Sequence, residues 1–243
     1  MPLTKIYIRY REDMPDGVNT FAAQEGFRAR GVETVPFFGF GDIQTLEDLG
    51  RDVGVVGFIG DVHEAIRAVG KPVPSPIDYP ESLKNYLDRY LFKAMLGDVF
   101  RSTQKLFVKP VQHKQFTGFI WEGPQGKFVR TAGLPDDTEV WISEVIEFLA
   151  EYRVFVLDGE ILDVRRYKGD WSRALSLGYT KEAVAAYCRE SGSPRAFCLD
   201  LGVTNQSPCC LVEVNEAYAF GHYGLRSELY AQMLEATWQE LTA

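Results

Sequence analysis

Residues Ala196–Gly224, AFCLDLGVTNQSPCCLVEVNEAYAFGHYG, decide how this chain is read. An apolar run, Phe197–Val203, is followed by a turn-forming cluster, Asn205–Pro208, and a second apolar run, Cys209–Val214, which predicts a β-hairpin. With Asn205–Gln206–Ser207–Pro208 as the turn, Asp200 falls opposite Glu213. Alternation along a strand puts Glu213 and Asn215 on the face of Asp200, and turns Leu199, Leu201, Val212 and Val214 toward an apolar face. Opposed carboxylates repel one another. A divalent cation between them removes the repulsion, and Mg²⁺ takes oxygen ligands with phosphates completing its shell. The sharp reading is a Mg²⁺–nucleotide site; the alternative is two solvated acids on an exposed sheet face.

Composition narrows the field. The chain has 243 residues, 46% hydrophobic and 25% charged, as in an ordinary globular protein, and its length accommodates one large domain or two to three small lobes. A formal net charge of −8 without a Lys/Arg block argues against a nucleic-acid partner. The start, MPLTKIYIRYRED, lacks the apolar core of a secretory signal, and no run approaches the roughly 20 apolar residues of a membrane span, so no membrane partner is expected. Cys188, Cys198, Cys209 and Cys210 match no zinc spacing. Reduced, buried thiols in a cytoplasmic protein are expected.

Outward from the hairpin, GKPVPSPIDYP (Gly70–Pro80) interrupts any helix or central strand and divides an N-terminal lobe, residues 1–75, from a main body, residues 76–243. The lobe predicts strands at Lys5–Tyr10, Val32–Phe38 and Val53–Ile59 and helices at Thr20–Arg30 and Gly60–Gly70, the second N-capped by Asp61: a small α/β unit with a partly parallel sheet. Gly54, Gly57 and Gly60 fit neither a dinucleotide fingerprint nor a P-loop.

The body opens with a predicted helix over Pro80–Gly97, from the helical spacing of Leu83, Tyr86, Leu87, Tyr90, Leu91 and Met95, with Arg89 as a solvated charge. In Lys105–Val111 (KLFVKPV), Lys109 stands beside Phe107 on a half-buried strand that Pro110 ends. A buried ammonium needs an anionic partner, unless the side chain snorkels to water. The polar loop His113–Gly118, with His113 and Lys114, is suited to covering phosphates and leads to strands at Phe119–Trp121 and Lys127–Thr131.

In Val140–Tyr167, VWISEVIEFLAEYRVFVLDGEILDVRRY, Asp158–Gly159 is a strong hairpin signal. That turn pairs Glu151 with Arg166 and Arg153 with Val164, gathers Glu151, Arg153 and Arg166 on one face, and sends Arg165 to the other. One carboxylate against two guanidiniums leaves positive charge for an anion, although a cross-strand Glu–Arg pair alone explains the pattern. A polar loop containing Lys168 follows, then a helix at Thr180–Arg189, a Gly- and aromatic-rich loop with His222, and a C-terminal helix near Arg226–Leu241.

Taken in order, Val108–Lys109–Pro110, Phe116–Gly118, Ser143–Ile146, Glu151–Arg153 with its E-Y-R-V-F-V strand, Leu199–Val203, Leu211–Asn215 and Gly221–Gly224 resemble the ATP-grasp superfamily, in particular its clade named for two arginines and a lysine. Pro76–Pro80 is similar to the end of that clade's N-terminal region. The resemblance covers essentially the whole chain. It implies an ATP-grasp fold of mixed α+β and α/β character, with a small N-terminal α/β (pre-ATP-grasp) lobe and a nucleotide held between two α+β subdomains. It implies ATP and Mg²⁺ as cofactors, with Asp200, Glu213 and Asn215 as magnesium ligands. Lys109 corresponds to the lysine on the nucleotide phosphates, and Glu144, Val145 and Ile146 to the hinge that reads adenine. Glu151 matches the acid on the ribose and Arg153 the arginine at the reacting phosphate, with Arg166 and Lys168 assisting. Lys114 is a candidate for the γ-phosphate, because HKQFTG replaces the usual Gly-rich loop. His222 and Tyr223 are placed to contact the acceptor. The implied activity is ADP-forming carboxylate–amine ligation through an acylphosphate, on small-molecule or peptide substrates. The alternatives are a phosphotransferase on the same scaffold and a non-catalytic nucleotide-binding module.

Overall fold

Alternating apolar character along the strands builds three four-stranded sheets among the described residues of the computed structural model, which are 2–112, 115–124, 131 and 133–243. The N-terminal sheet contains β1 (Lys5–Arg11), β2 (Met14–Pro15), β3 (Glu33–Phe37) and β4 (Val53–Val56), with helices α1 (Val18–Ala29), α2 (Phe40–Ile43) and α3 (Ile59–Ala68). β1 runs parallel to both β3 and β4, and β2 folds back antiparallel on its end, matching the partly parallel lobe expected. Asp61 sits in the first turn of α3 rather than before it, where its carboxylate accepts the Phe58 N–H at 2.8 Å.

The central sheet is antiparallel, in the order β5-β8-β6-β7: β5 (Leu91–Met95), β6 (Leu106–Pro110), β7 (Phe119–Trp121) and β8 (Glu139–Ser143), with α4 at Leu96–Arg101. The helix expected over Pro80–Gly97 is therefore overturned. One 3-10 segment, Glu81–Tyr86, buries Leu83; the chain then turns through Asp88 in the left-handed region (φ 50°) and pairs Leu91–Met95 with β8. Cross-strand pairing has outweighed a helical period. Arg89 is not solvated either: its guanidinium donates to the carbonyls of Leu87, Leu211 and Val212. Of the strand expected over residues 127–131, all but Thr131 lies outside the described residues.

The third sheet, ordered β10-β9-β11-β12, holds the two predicted hairpins: β9 (Ala150–Leu157), β10 (Glu160–Gly169), β11 (Ala196–Val203) and β12 (Cys210–Glu216), flanked by α5 (Leu177–Cys188) and α6 (Ser227–Leu241). β11 is buried along its whole length because its two sides feed two cores. Ala196 and Cys198 join the core beneath α6 and the N-terminal sheet, whereas Phe197, Leu199 and Leu201 join the core with Leu83, Val184 and Tyr187. At Gly202 a Cβ would stand 2.0 Å from the Phe148 ring, so a side chain is excluded where Phe148 enters. All four cysteines are free thiols, three of them buried.

The proline-rich linker is pinned to β12 at two points. The Ile77 N–H donates to a Glu216 carboxylate oxygen at 2.7 Å, and the backbones of Asp78 and Val214 bond in both directions, at 3.2 and 2.8 Å. Burial pushes the Glu216 carboxyl up to about 7.

These contacts set two measurable outcomes. On α1, Gly26 lets α6 approach so closely that a Cβ would sit 1.9 Å from the Ser227 carbonyl oxygen. Gly26→Ala is expected to destabilise the fold by about 1–3 kcal/mol in denaturant unfolding; an unchanged midpoint and slope would contradict this packing. Because Glu216 holds its proton more tightly in the folded state, its contribution to stability is full below its ordinary value near 4.5 and is lost as pH rises to about 7. The melting temperature of Glu216→Gln relative to wild type should thus rise across that interval, and a flat difference would refute the buried carboxyl.

Candidate functional site

The register of the third sheet lines up three side chains in a row. Asp200 on β11 is paired with Arg153 on β9 and with Glu213 on β12. Their side chains emerge on one face, as strand alternation requires. The Arg153 guanidinium grips Asp200 bidentately, Nε to Oδ1 at 2.7 Å and Nη2 to Oδ2 at 2.6 Å. Asn215, two residues beyond Glu213, donates its amide to Asp200 Oδ2 and Glu213 Oε1, each at 3.1 Å.

Lys109 completes the row from the opposite sheet. Its Nζ donates to Glu213 Oε2 at 2.5 Å and to Asp78 Oδ1. The other Asp78 oxygen accepts the Trp141 indole N–H at 3.1 Å, and the Tyr79 ring lies 5.2 Å from the ammonium. Burial alone would neutralise Lys109; Glu213, Tyr79 and Asp78 more than reverse this and hold it protonated, above the ordinary lysine range. Burial likewise opposes the Glu213 charge, but Lys109 keeps its carboxyl below the usual value. Burial pushes the Asp200 carboxyl up to about 6, against the pull of the Arg153 guanidinium.

Lys168 and Tyr167 hold the next acid. Lys168 pairs across from Glu151 and donates to Oε1 at 2.5 Å, while the Tyr167 hydroxyl donates to Oε2 at 2.9 Å. This corrects the expected register. β10 carries two bulges, one between Ile161 and Asp163 and one between Arg166 and Lys168, and each advances the pairing by one residue. Arg166 consequently faces Tyr152, is exposed, and donates to the Gly169 carbonyl at 2.6 Å, away from Glu151 and Arg153; Arg165, assigned to the opposite face, is the residue paired with Arg153.

Two cavities meet at Phe107 and Gly118 between the central and third sheets. One, of about 620 Å³, is walled by Phe107, Ile120, Glu144, Val145, Ile146 and Phe148 and reaches Glu151 and Lys168. The second, of about 380 Å³, contains Asp78, Lys109, Glu213 and Asn215. Both fall within the range of small-molecule sites. A third, of about 520 Å³, lies against the N-terminal lobe and is lined by Asn19, Phe58, His222 and Tyr223. The Tyr223 ring stacks on Tyr167 at 4.8 Å and covers the Arg153 guanidinium, also at 4.8 Å.

The structure thus places Lys109, Glu213 and Asn215 on the second cavity and Glu144–Ile146, Glu151 and Lys168 on the first, with Arg153 and Asp200 buried behind them in the same bonded row and lining neither. Lys114 and His113 lie outside the described residues. Asp78, Tyr167 and Trp141 are the participants that sequence reading missed. The one available signal was Asp78-Tyr79-Pro80 itself, an acid before an aromatic at the end of the linker.

Asp200 and Glu213 are hard oxygen donors of the kind magnesium takes, and here their oxygens accept from Arg153, Lys109 and the Asn215 amide N–H, donors that a metal ion would have to displace. Among the described residues no three His, Cys, Asp or Glu side chains enclose a metal site on their own.

Comparison with known proteins gives the same architecture. The crystal structure of the D-cycloserine synthetase DcsG superposes with a TM-score of 0.59 at 10% identity, covering 96% of this chain and 99% of that one. D-alanine–D-alanine ligase from Bacillus anthracis, complexed with ATP, gives 0.55 at 14% identity, with 98% and 97% covered. The ATP-grasp ligase PsnB, complexed with its minimal precursor, Mg and ADP, gives 0.52 at 15% identity, with 98% and 99% covered. At these identities the likeness establishes the fold. No curated protein matches the sequence, and no helix among the described residues is long and apolar enough to cross a membrane. The family model for the ATP-grasp domain of the clade named for two arginines and a lysine, in its second family, matches residues 86–233, more than half of the sequence, and the chain belongs to that family.

Proposed function

We propose that this ATP-grasp protein is an ADP-forming carboxylate–amine ligase, with a body, residues 76–243, that holds MgATP and an N-terminal lobe, residues 1–75, that helps form the acceptor site. The observation that carries this reading is the row Arg153–Asp200–Glu213, joined by Asn215 and capped by Lys109 from the facing sheet. It lies beside an apolar cavity of nucleotide size.

In this reading adenine occupies the cavity of Phe107, Ile120 and Phe148, against the backbone of Glu144–Ile146. Glu151 receives the ribose hydroxyls, and Lys168 and Tyr167 hold its carboxylate in place. Lys109 contacts the phosphates. Asp200, Glu213 and Asn215 hold Mg²⁺, which when bound offsets charge on the triphosphate. The carboxylate of one substrate attacks the γ-phosphorus, the bond to the bridging oxygen breaks, and ADP departs. An amine nitrogen then attacks the acyl carbon, phosphate leaves, and the nitrogen gives up its proton. Such chemistry is largely positioning and charge stabilisation. Arg153 is set to face the developing charge, because its guanidinium already lies in the row of acids. The third cavity, with Asn19, His222 and Tyr223, adjoins that point and serves the acceptor. Arg166, exposed and turned away, has no part in this scheme. Peptides and small molecules both remain within the acceptor class: the similar structures include PsnB with a precursor peptide and a D-alanine–D-alanine ligase.

Incubation with MgATP and pooled carboxylates and amines tests the proposal. ADP and free phosphate should appear only when both substrate classes are present, and EDTA should abolish turnover. ADP with a stable phosphorylated product would establish a phosphotransferase instead, and thermal stabilisation by MgATP without turnover would establish a binding module. Asp200→Asn is expected to lower kcat by about 100-fold or more. Retention of wild-type kcat in that variant would remove Asp200 from the metal site.

A further inference from the structure

Lys109 has two anionic partners, and they are not equivalent. Glu213 lies on β12 beside Asp200 and Asn215, where the proposed reading gives it to magnesium. Asp78 belongs to the linker, is 7% exposed, and has both carboxylate oxygens engaged, one by Lys109 and one by the Trp141 indole. Its backbone is fixed as well: φ is 52°, a left-handed value that Asp tolerates better than most residues, and it exchanges two backbone hydrogen bonds with Val214. Tyr79, next in sequence, packs edge-on against Trp141 with ring centres 5.2 Å apart. The linker therefore inserts an immobile carboxylate between β12 and the pair β6/β8, beneath the Lys109 ammonium.

Were Glu213 to turn to a metal ion, Lys109 would lose one partner and keep the other. We propose that Asp78 is the positioning residue of Lys109, holding the ammonium at the nucleotide phosphates through the exchange of Glu213 from lysine to magnesium. The inference rests on the reading of Lys109 as a phosphate contact. Asp78 touches neither metal nor nucleotide in this scheme and acts only through the lysine.

An electrostatic neighbour and a positioning residue predict opposite results. Were Asp78 merely a nearby negative charge, removing it would favour a triphosphate, and Asp78→Asn would bind nucleotide more tightly. A positioning role predicts the reverse, and predicts that the effect passes through Lys109. The test is calorimetric titration of the full chain with the ATP analogue AMPPNP and Mg²⁺, using wild type, Asp78→Asn, Lys109→Met and the double variant, with melting temperatures recorded for each. Asp78→Asn is expected to weaken binding about tenfold, the effect of one charge-assisted hydrogen bond. In the Lys109→Met background the same change should move Kd by less than about twofold, as for an interaction already lost. Trp141→Phe, which leaves Asp78 in place but frees one oxygen, should weaken binding about threefold with the same dependence on Lys109, and it carries the test if Asp78→Asn does not fold. Equal or tighter binding by Asp78→Asn, or an undiminished loss in the Lys109→Met background, overturns the positioning role while leaving the reading of Lys109 intact. If Lys109→Met itself leaves Kd unchanged, that reading fails, and the role of Asp78 falls with it.

Discussion

The structure depends on one ammonium group that crosses between two sheets. Lys109 leaves the central sheet at the end of β6 and is met by Glu213 of the third sheet and Asp78 of the linker. A lysine side chain taken out of water needs such partners, and removing one partner from a buried pair costs on the order of 3–5 kcal/mol. The facing sheets are thus joined by charge at the place where apolar packing gives way to a cleft. Apolar contact alone would close the gap. A charged joint keeps it polar.

The balance of charge along the row has a second consequence. Asp78, Glu151, Asp200 and Glu213 supply four carboxylates, against the cations Lys109, Arg153 and Lys168. One negative charge is left over along this row. The same arithmetic disfavours the bland reading of Asp200 and Glu213 as solvated acids, since Asp200 is 3% exposed and both its oxygens are bonded.

How much of this was legible depended on whether a local signal or a distant partner fixed the geometry. The pairing of Asp200 with Glu213 was readable from alternation, but the bulge beside it was not: nearer the turn Leu201 pairs with Leu211 and Gly202 with Cys210, one residue off the register that an Asn205–Pro208 turn sets, so Leu211 joins the core and Val212, expected there, lines the cleft. The Asp158–Gly159 hairpin was readable as a hairpin but not in register: the bulges near Leu162 and Tyr167 displace β10 by two residues and leave no mark in composition, which exchanged Arg166 for Lys168 opposite Glu151. Residues 80–97 carried a helical period that β8 overrode by pairing with Leu91–Met95. Asp78 was hidden by its setting, since an Asp in a proline-rich segment reads as a turn former. Its value comes from Lys109 and Trp141, 31 and 63 residues away.

The loop after β12 forms one wall of the third cavity. Tyr223 adopts φ 42°, a conformation that costs an L-residue roughly 1–2 kcal/mol, and such strain persists only where surrounding contacts over-determine it. Three contacts do so here: its ring lies over the Arg153 guanidinium and stacks on Tyr167, and the preceding His222 N–H donates to Asn19 of α1 at 3.1 Å. Arg153 also donates to the Gly221 carbonyl at 3.3 Å. The arginine that neutralises Asp200 therefore also shapes the wall of the cavity beyond it. The charge partner of Asp200 and one wall of that cavity are thus set by a single side chain.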